Sequence, residues 1–165
     1  DSTLVSNESF SKNDKIYVKE AINLFPNNVL FKSADLLINK GMESTEKAVN
    51  FDFKADEYYK NAQYELAIEN WTKAAAIVDS EDSYYLNIAL SYCQLEEFNK
   101  ALEILKIIEK KGISKSKDGM FEFVGGYSFF GLNKFDLACK YLKASSKMGN
   151  TSAVNLLKTI NCQTK

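Results

Sequence analysis

Three stretches decide how this chain folds: YYKNAQYELAIENWTKAA at 58–75, YCQLEEFNKALEILKII at 92–108 and FFGLNKFDLACKYLKAS at 129–145. Each opens on an aromatic residue and carries another six positions on, in the pairs Tyr58/Tyr64, Tyr92/Phe98 and Phe129/Phe135. Each then reaches a small residue three positions further, at Ala67, Ala101 and Ala138. Ala67 to Ala101 is 34 residues and Ala101 to Ala138 is 37, the extra three fitting the loop GISKSKDG at 112–119. A period in this range is the mark of stacked supersecondary units.

Each copy divides into two helical runs. In the second copy Tyr85, Ile88, Ala89 and Tyr92 recur at i, i+3, i+4, i+7, and Phe98, Ala101, Leu102, Leu105 and Ile108 make the next stripe. A short turn between the runs makes neighbouring helices antiparallel. Asp79 to Asp82 offers an N-cap to the first run, and Lys110, Lys111 and Gly112 close the second. Outward from the copies, residues 13–25 and 28–40, joined by Pro26-Asn27, read as a divergent helix pair. Residues 151–161, after the helix-stopping Gly149-Asn150, read as a short final helix with the polar outer face a solenoid cap needs.

The expected organisation is therefore all-α with about nine helices in a single domain over 1–165. It comprises a flexible leader (1–12), the divergent pair (13–43), three repeats (48–81, 82–118, 119–149) and a capping helix with its tail (150–165).

The pattern resembles the tetratricopeptide repeat, a 34-residue helix–turn–helix. The resemblance rests on Ala55, Tyr58, Tyr64, Ala67, Trp71 and Ala74, then Tyr85, Ile88, Ala89, Tyr92, Phe98, Ala101 and Leu105, then Gly126, Phe129, Phe135, Ala138 and Leu142. Lys54 stands where the family usually has leucine, Ile108 replaces its second alanine, and no copy keeps the terminal proline. The resemblance implies a right-handed α-solenoid of antiparallel helix pairs whose concave face is lined by the first helix of each repeat.

In that register the inward residues are Val49, Asp52, Asp56 and Tyr59, then Ser83, Leu86, Asn87, Leu90 and Cys93, then Met120, Phe123, Tyr127 and Phe130. Such a groove runs from acidic to aromatic and suits a peptide with apolar anchors and a basic segment. Family members that clamp a tail carboxylate use basic and asparagine residues there. Only Asn87 matches, and Asp52, Met120 and Val124 argue against a clamp. The alternative is that a terminal helix of the chain itself covers the apolar end.

Composition narrows the rest. The chain of 165 residues is 45% hydrophobic and 26% charged, which places it among globular domains. Seven glycines and one proline are less than half of the roughly 12% that average usage would supply, too few turn residues for a many-stranded barrel. Histidine is absent and every basic residue is lysine, which removes Ser-His-Asp and Cys-His catalysis, imidazole metal sites and guanidinium clamps. A net charge of −1 gives no basic surplus for nucleic acid, so none is expected as a partner.

No 18-residue apolar run is long enough to span a membrane. A start at Asp1 leaves a signal peptide, a lipoprotein leader or a cloned boundary as alternatives, so envelope and cytoplasm stay open. Abundant Lys, Asn and Ile, and Gly149-Asn150 followed by Ala153, resemble bacterial members of the family. Cys93, Cys139 and Cys162 are odd in number, which argues against a complete disulfide framework. Cys93 and Cys139 read as small core residues, and Cys162 as the one exposed to intermolecular oxidation. Sequons occur at Asn7, Asn70 and Asn150.

Catalytic constellations are sparse. Asp52, Asp56 and Glu57 lie within about one turn and could hold a divalent ion, but flanking Lys54 and Lys60 read as part of a solvated stripe. Gly125-Gly126 lacks the strand and the following lysine of a phosphate loop. The expectation is a non-enzymatic scaffold without cofactor or metal, monomeric or weakly self-associating, that binds a protein or peptide. The rival readings are a structural self-associating module of an envelope or secretion assembly and a metal-dependent enzyme using Asp52 and Asp56.

Overall fold

The computed structural model describes residues 12–26, 28–40, 42–113, 115, 117–160 and 162. Among them are nine helices and no strand: α1 (Lys12–Leu24), α2 (Val29–Lys40), α3 (Met42–Lys60), α4 (Tyr64–Ile77), α5 (Asp82–Gln94), α6 (Phe98–Lys111), α7 (Met120–Gly131), α8 (Phe135–Lys147) and α9 (Thr151–Thr159). The leader expected over 1–12 lies outside the described residues except for Lys12, which opens α1, and so does Asn27. Contacts group the chain into two units divided between Glu46 and Lys47.

In the first unit α1 packs on α2. The Phe25 and Phe31 ring centroids are 6.1 Å apart. Asn28 caps α2, its Oδ1 accepting from the backbone N–H of Leu30 at 2.9 Å and of Phe31 at 3.4 Å. That satisfies two of the four N–H groups that a helix start leaves without an intrahelical acceptor.

In the second unit each helix packs on its chain neighbour from α4 through α9, and the first helices of successive hairpins touch, α5 on α7 and α7 on α9. Ring contact between Tyr59 and Trp71 joins α3 to α4. This is an all-α stack of antiparallel hairpins. Its period is written in the buried residues. Ala67, Ala101 and Ala138 are wholly buried, as are Ala55 and Ala89. Trp71, Leu105 and Leu142 fill the layer one turn further along the second helices, followed by Ala74, Ile108 and Ser145.

The turns repeat as faithfully. Ala62, Glu96 and Asn133 each take a left-handed backbone, at φ 56°, 59° and 58°. In each turn the following residue returns an N–H to the opening aromatic: Gln63 to the carbonyl of Tyr58, Glu97 to Tyr92 and Lys134 to Phe129, all at 2.9 Å. These bonds satisfy carbonyls that the helix end would leave open. Left-handed backbone costs an L-residue roughly 1–2 kcal/mol, against roughly 0.5–1 kcal/mol for the extra unfolded freedom of glycine. Ala62→Gly is therefore expected to stabilise by about 0.5 kcal/mol, read as a higher urea midpoint. A lower midpoint would show that the turn carries no such strain.

The three-residue insertion sits before α7. Gly112 ends α6 in left-handed geometry, and Ser145 Oγ donates to the Gly119 carbonyl at 2.7 Å. The cap expected from Asp79 to Asp82 falls at Glu81, whose Oε1 accepts from the Ser83 hydroxyl at 3.0 Å. At the far end Asn150 caps α9 through Oδ1, which accepts from the Ala153 N–H at 3.0 Å. Ser152, Asn155, Lys158 and Thr159 form its exposed polar side.

The cysteines correct the sequence reading. Cys139 and Cys162 form a disulfide with a Cα–Cα distance of 5.6 Å, and Cys93 alone is a free, buried thiol. Cys139 is thus not a plain core residue, and Cys162 is engaged within the chain. The spacing of 23 residues is bridged because α9 returns alongside α7 and α8.

Candidate functional site

The inward register places four or five residues per copy along α3, α5 and α7, and the structure gives those positions different surroundings. Asp52 is half-buried on α3, and its Oδ1 accepts the indole N–H of Trp71 at 2.8 Å. Burial raises its pKa above 3.8; the Trp71 bond opposes this, and Asp56 and Glu81 add to it. Tyr84 on α5 is influenced by the same carboxylate. Its hydroxyl is pushed up to about 12, first by burial and then by Asp52 and Glu81. Asp52 therefore works as a joint between α3 and α4.

The folded protein holds the Asp52 proton more tightly than the unfolded chain does. Acidification from neutrality down through the raised value therefore favours folding, and the gain is complete below 3.8. Asp52→Asn keeps an acceptor for Trp71 and removes the charge. The variant is expected to melt above wild type at pH 7 and to lose that advantage near pH 3.5. An advantage that grows on acidification would refute the assignment.

Asp56, Leu90 and Tyr127 occupy one register, one residue in each copy, as do Tyr59, Cys93 and Phe130. Asp56 is exposed, while Leu90 and Tyr127 are half-buried and keep part of their surface in solvent. Met120 and Asn87 are likewise half-buried, whereas Leu86 is buried between helices. Val49 and Phe53 on α3 are well exposed, the latter at 73%.

Aromatic rings run along this side. Tyr59 meets Tyr64 at 5.3 Å and Trp71 at 5.7 Å between centroids. Phe123 stacks on Tyr127 at 6.0 Å, and Phe98 meets Tyr127 edge-on at 6.3 Å. Burial raises the Tyr127 hydroxyl, with smaller effects from Cys93, Glu96 and Tyr64. Burial also raises Tyr59, which a hydrogen bond with Gln94 partly offsets. Rings of α3 and α4 thus form one group, and rings of α6 and α7 another.

At the apolar end α9 packs nearby. Phe123 and Phe130 pack against a cluster of Leu142, Ala153 and Ile160, together with Leu156, Leu157 and the cystine. Phe123 and Phe130 stay half-buried there, and the pairing of Cys162 with Cys139 is the signal that the sequence did not offer.

Asp56, Glu57, Phe53, Lys60 and Asn61 surround a shallow hollow on α3. Among the described residues no three carboxylates or thiols gather as a metal site. No helix among them is long and apolar enough to cross a membrane.

An all-α stack of helical hairpins is the class that the fold defines. Compared with models of known families and with curated proteins, the chain matches none.

Proposed function

We propose that the protein is a non-enzymatic scaffold of tetratricopeptide type that holds a peptide or protein segment along α3, α5 and α7. The observation that carries this reading is the row Asp56, Leu90 and Tyr127. These residues share one register and keep surface in solvent, while the adjacent row, Ala55, Ala89 and Gly126, is buried. A surface that steps from carboxylate through leucine to tyrosine complements a segment with a basic end and an apolar or aromatic end. The absence of histidine and arginine supports a binding role over catalysis. The Cys139–Cys162 bond supports the envelope over the cytoplasm, because such bonds persist in oxidising compartments.

The test is selection from a random peptide library displayed on phage, followed by affinities for wild type, Asp56→Lys and Leu90→Asp. Enriched peptides are expected to pair lysine or arginine with aromatic residues and to weaken at least tenfold on either variant. Peptides indifferent to both substitutions, or no enrichment, would sink the reading. A second reading, self-association, draws on the exposed Val49 and Phe53 of α3. It requires a mass that rises with concentration and falls back in Phe53→Ser.

A further inference from the structure

We propose that the Cys139–Cys162 disulfide is a redox-operated latch that fastens α9 over the aromatic end of the binding face, and that reduction by a dithiol opens that end. The regulatory half of this inference rests on the binding reading above; the opening itself does not.

The geometry concentrates the hold at one place. α9 has nine residues, too few for a helix stable on its own, so it depends on what it packs against. Within the helix only Ala153 is fully buried. Leu156 and Leu157 are half-buried, and Val154, Asn155 and Lys158 face solvent. The start of α9 is secured by the Asn150 cap. Its far end is secured by Ile160 and by the bond from Cys162 to Cys139 on α8. Beneath that end lie Phe123 and Phe130, two residues of the proposed binding face. Cutting the bond leaves the far end held by buried Ile160 and half-buried Leu156 and Leu157, with apolar surface ready to be exposed below it.

Both cysteines keep some surface in solvent. One thiolate of the dithiol attacks a sulfur of the cystine and forms a mixed disulfide, releasing the other cysteine. The second thiol then closes a ring and releases the remaining cysteine. Two electrons and two protons pass from the dithiol to Cys139 and Cys162, and the dithiol leaves as a cyclic disulfide. Cys93 takes no part. It is buried, and its thiol is pushed up to about 11 by desolvation against an opposing hydrogen bond with Ser128.

The experiment is amide hydrogen exchange on the full chain, oxidised and after dithiothreitol, with alkylation confirming two new thiols. Reduction is expected to speed exchange at 151–160 at least tenfold while 98–111 stays unchanged. Cys162→Ala is expected to exchange fast without dithiothreitol and to ignore it. Unchanged protection at 151–160 would overturn the latch. Equal acceleration throughout α4 to α8 would also overturn it, because the bond would then serve global stability. If Cys162→Ala does not fold, the wild-type pair decides alone. Opening without any selected peptide gaining affinity would keep the latch and remove its link to binding.

Discussion

Trp71→Ala is expected to destabilise the second unit by about 3–5 kcal/mol, lowering the melting temperature by roughly 10–20 °C. The side chain is 2% exposed and is among the largest wholly enclosed ones in the structure. Its removal leaves a cavity bounded by Tyr59, whose ring centroid lies 5.7 Å from that of the indole. It also takes the donor away from Asp52, a half-buried carboxylate that burial already disfavours. Trp71→Phe keeps most of the volume and loses only the N–H, so it should cost clearly less than the alanine variant. Urea unfolding followed by circular dichroism separates the two. In a stack held by neighbouring contacts the damage should appear first in α3 to α5, with amide protection in α7 to α9 retained. A loss below about 1 kcal/mol for Trp71→Ala would mean that the first hairpin is not held by this ring.

Gly126→Val is expected to cost about 3 kcal/mol, the upper end of what overpacking usually costs. In most exposed helix positions replacing glycine improves helix propensity, so the sign here is informative. A Cβ at Gly126 would stand 2.6 Å from Leu142 Cγ and 3.1 Å from the Leu142 backbone nitrogen. Rotation of the leucine relieves the first contact but not the second, so α7 and α8 must separate. Leu142 also anchors the cluster that receives α9, and the separation should loosen α9 as well. Gly131 provides the control. Its nearest neighbour is the Phe98 ring, the far end of a side chain that can swing, so Gly131→Ala should cost less. Equal melting temperatures for Gly126→Val and wild type would refute the close approach.

Helix order and repeat register were legible because they follow from short-range pattern. The aromatic pairs and the alanines at 67, 101 and 138 mark where each turn falls, and the same left-handed geometry recurs there. The departure at the second alanine place also has a local cause in the third copy. Ser145 is polar in a buried layer because the insertion delivers the Gly119 carbonyl to its hydroxyl.

What escaped the sequence depends on contacts between distant segments. A helical wheel puts Asp52 and Asp56 on one face, yet the two fare differently: Trp71, nineteen residues on, draws Asp52 inward, while Asp56 stays in solvent. The cysteine count alone could not pair Cys139 with Cys162, because that needs the placement of α9 beside α7 and α8. The same placement decides how much of Phe123 and Phe130 remains open, and helical periodicity says nothing about it.

Trp71 is the single tryptophan of the chain, and it sits in the first hairpin, far along the sequence from the cystine. Its emission is therefore a local spectroscopic gauge. A fluorescence melt follows the joint of α3 and α4, whereas ellipticity averages every helix. In a stack of coupled neighbours the two curves need not coincide, and the gap between their midpoints measures how strongly one end of the protein senses the other.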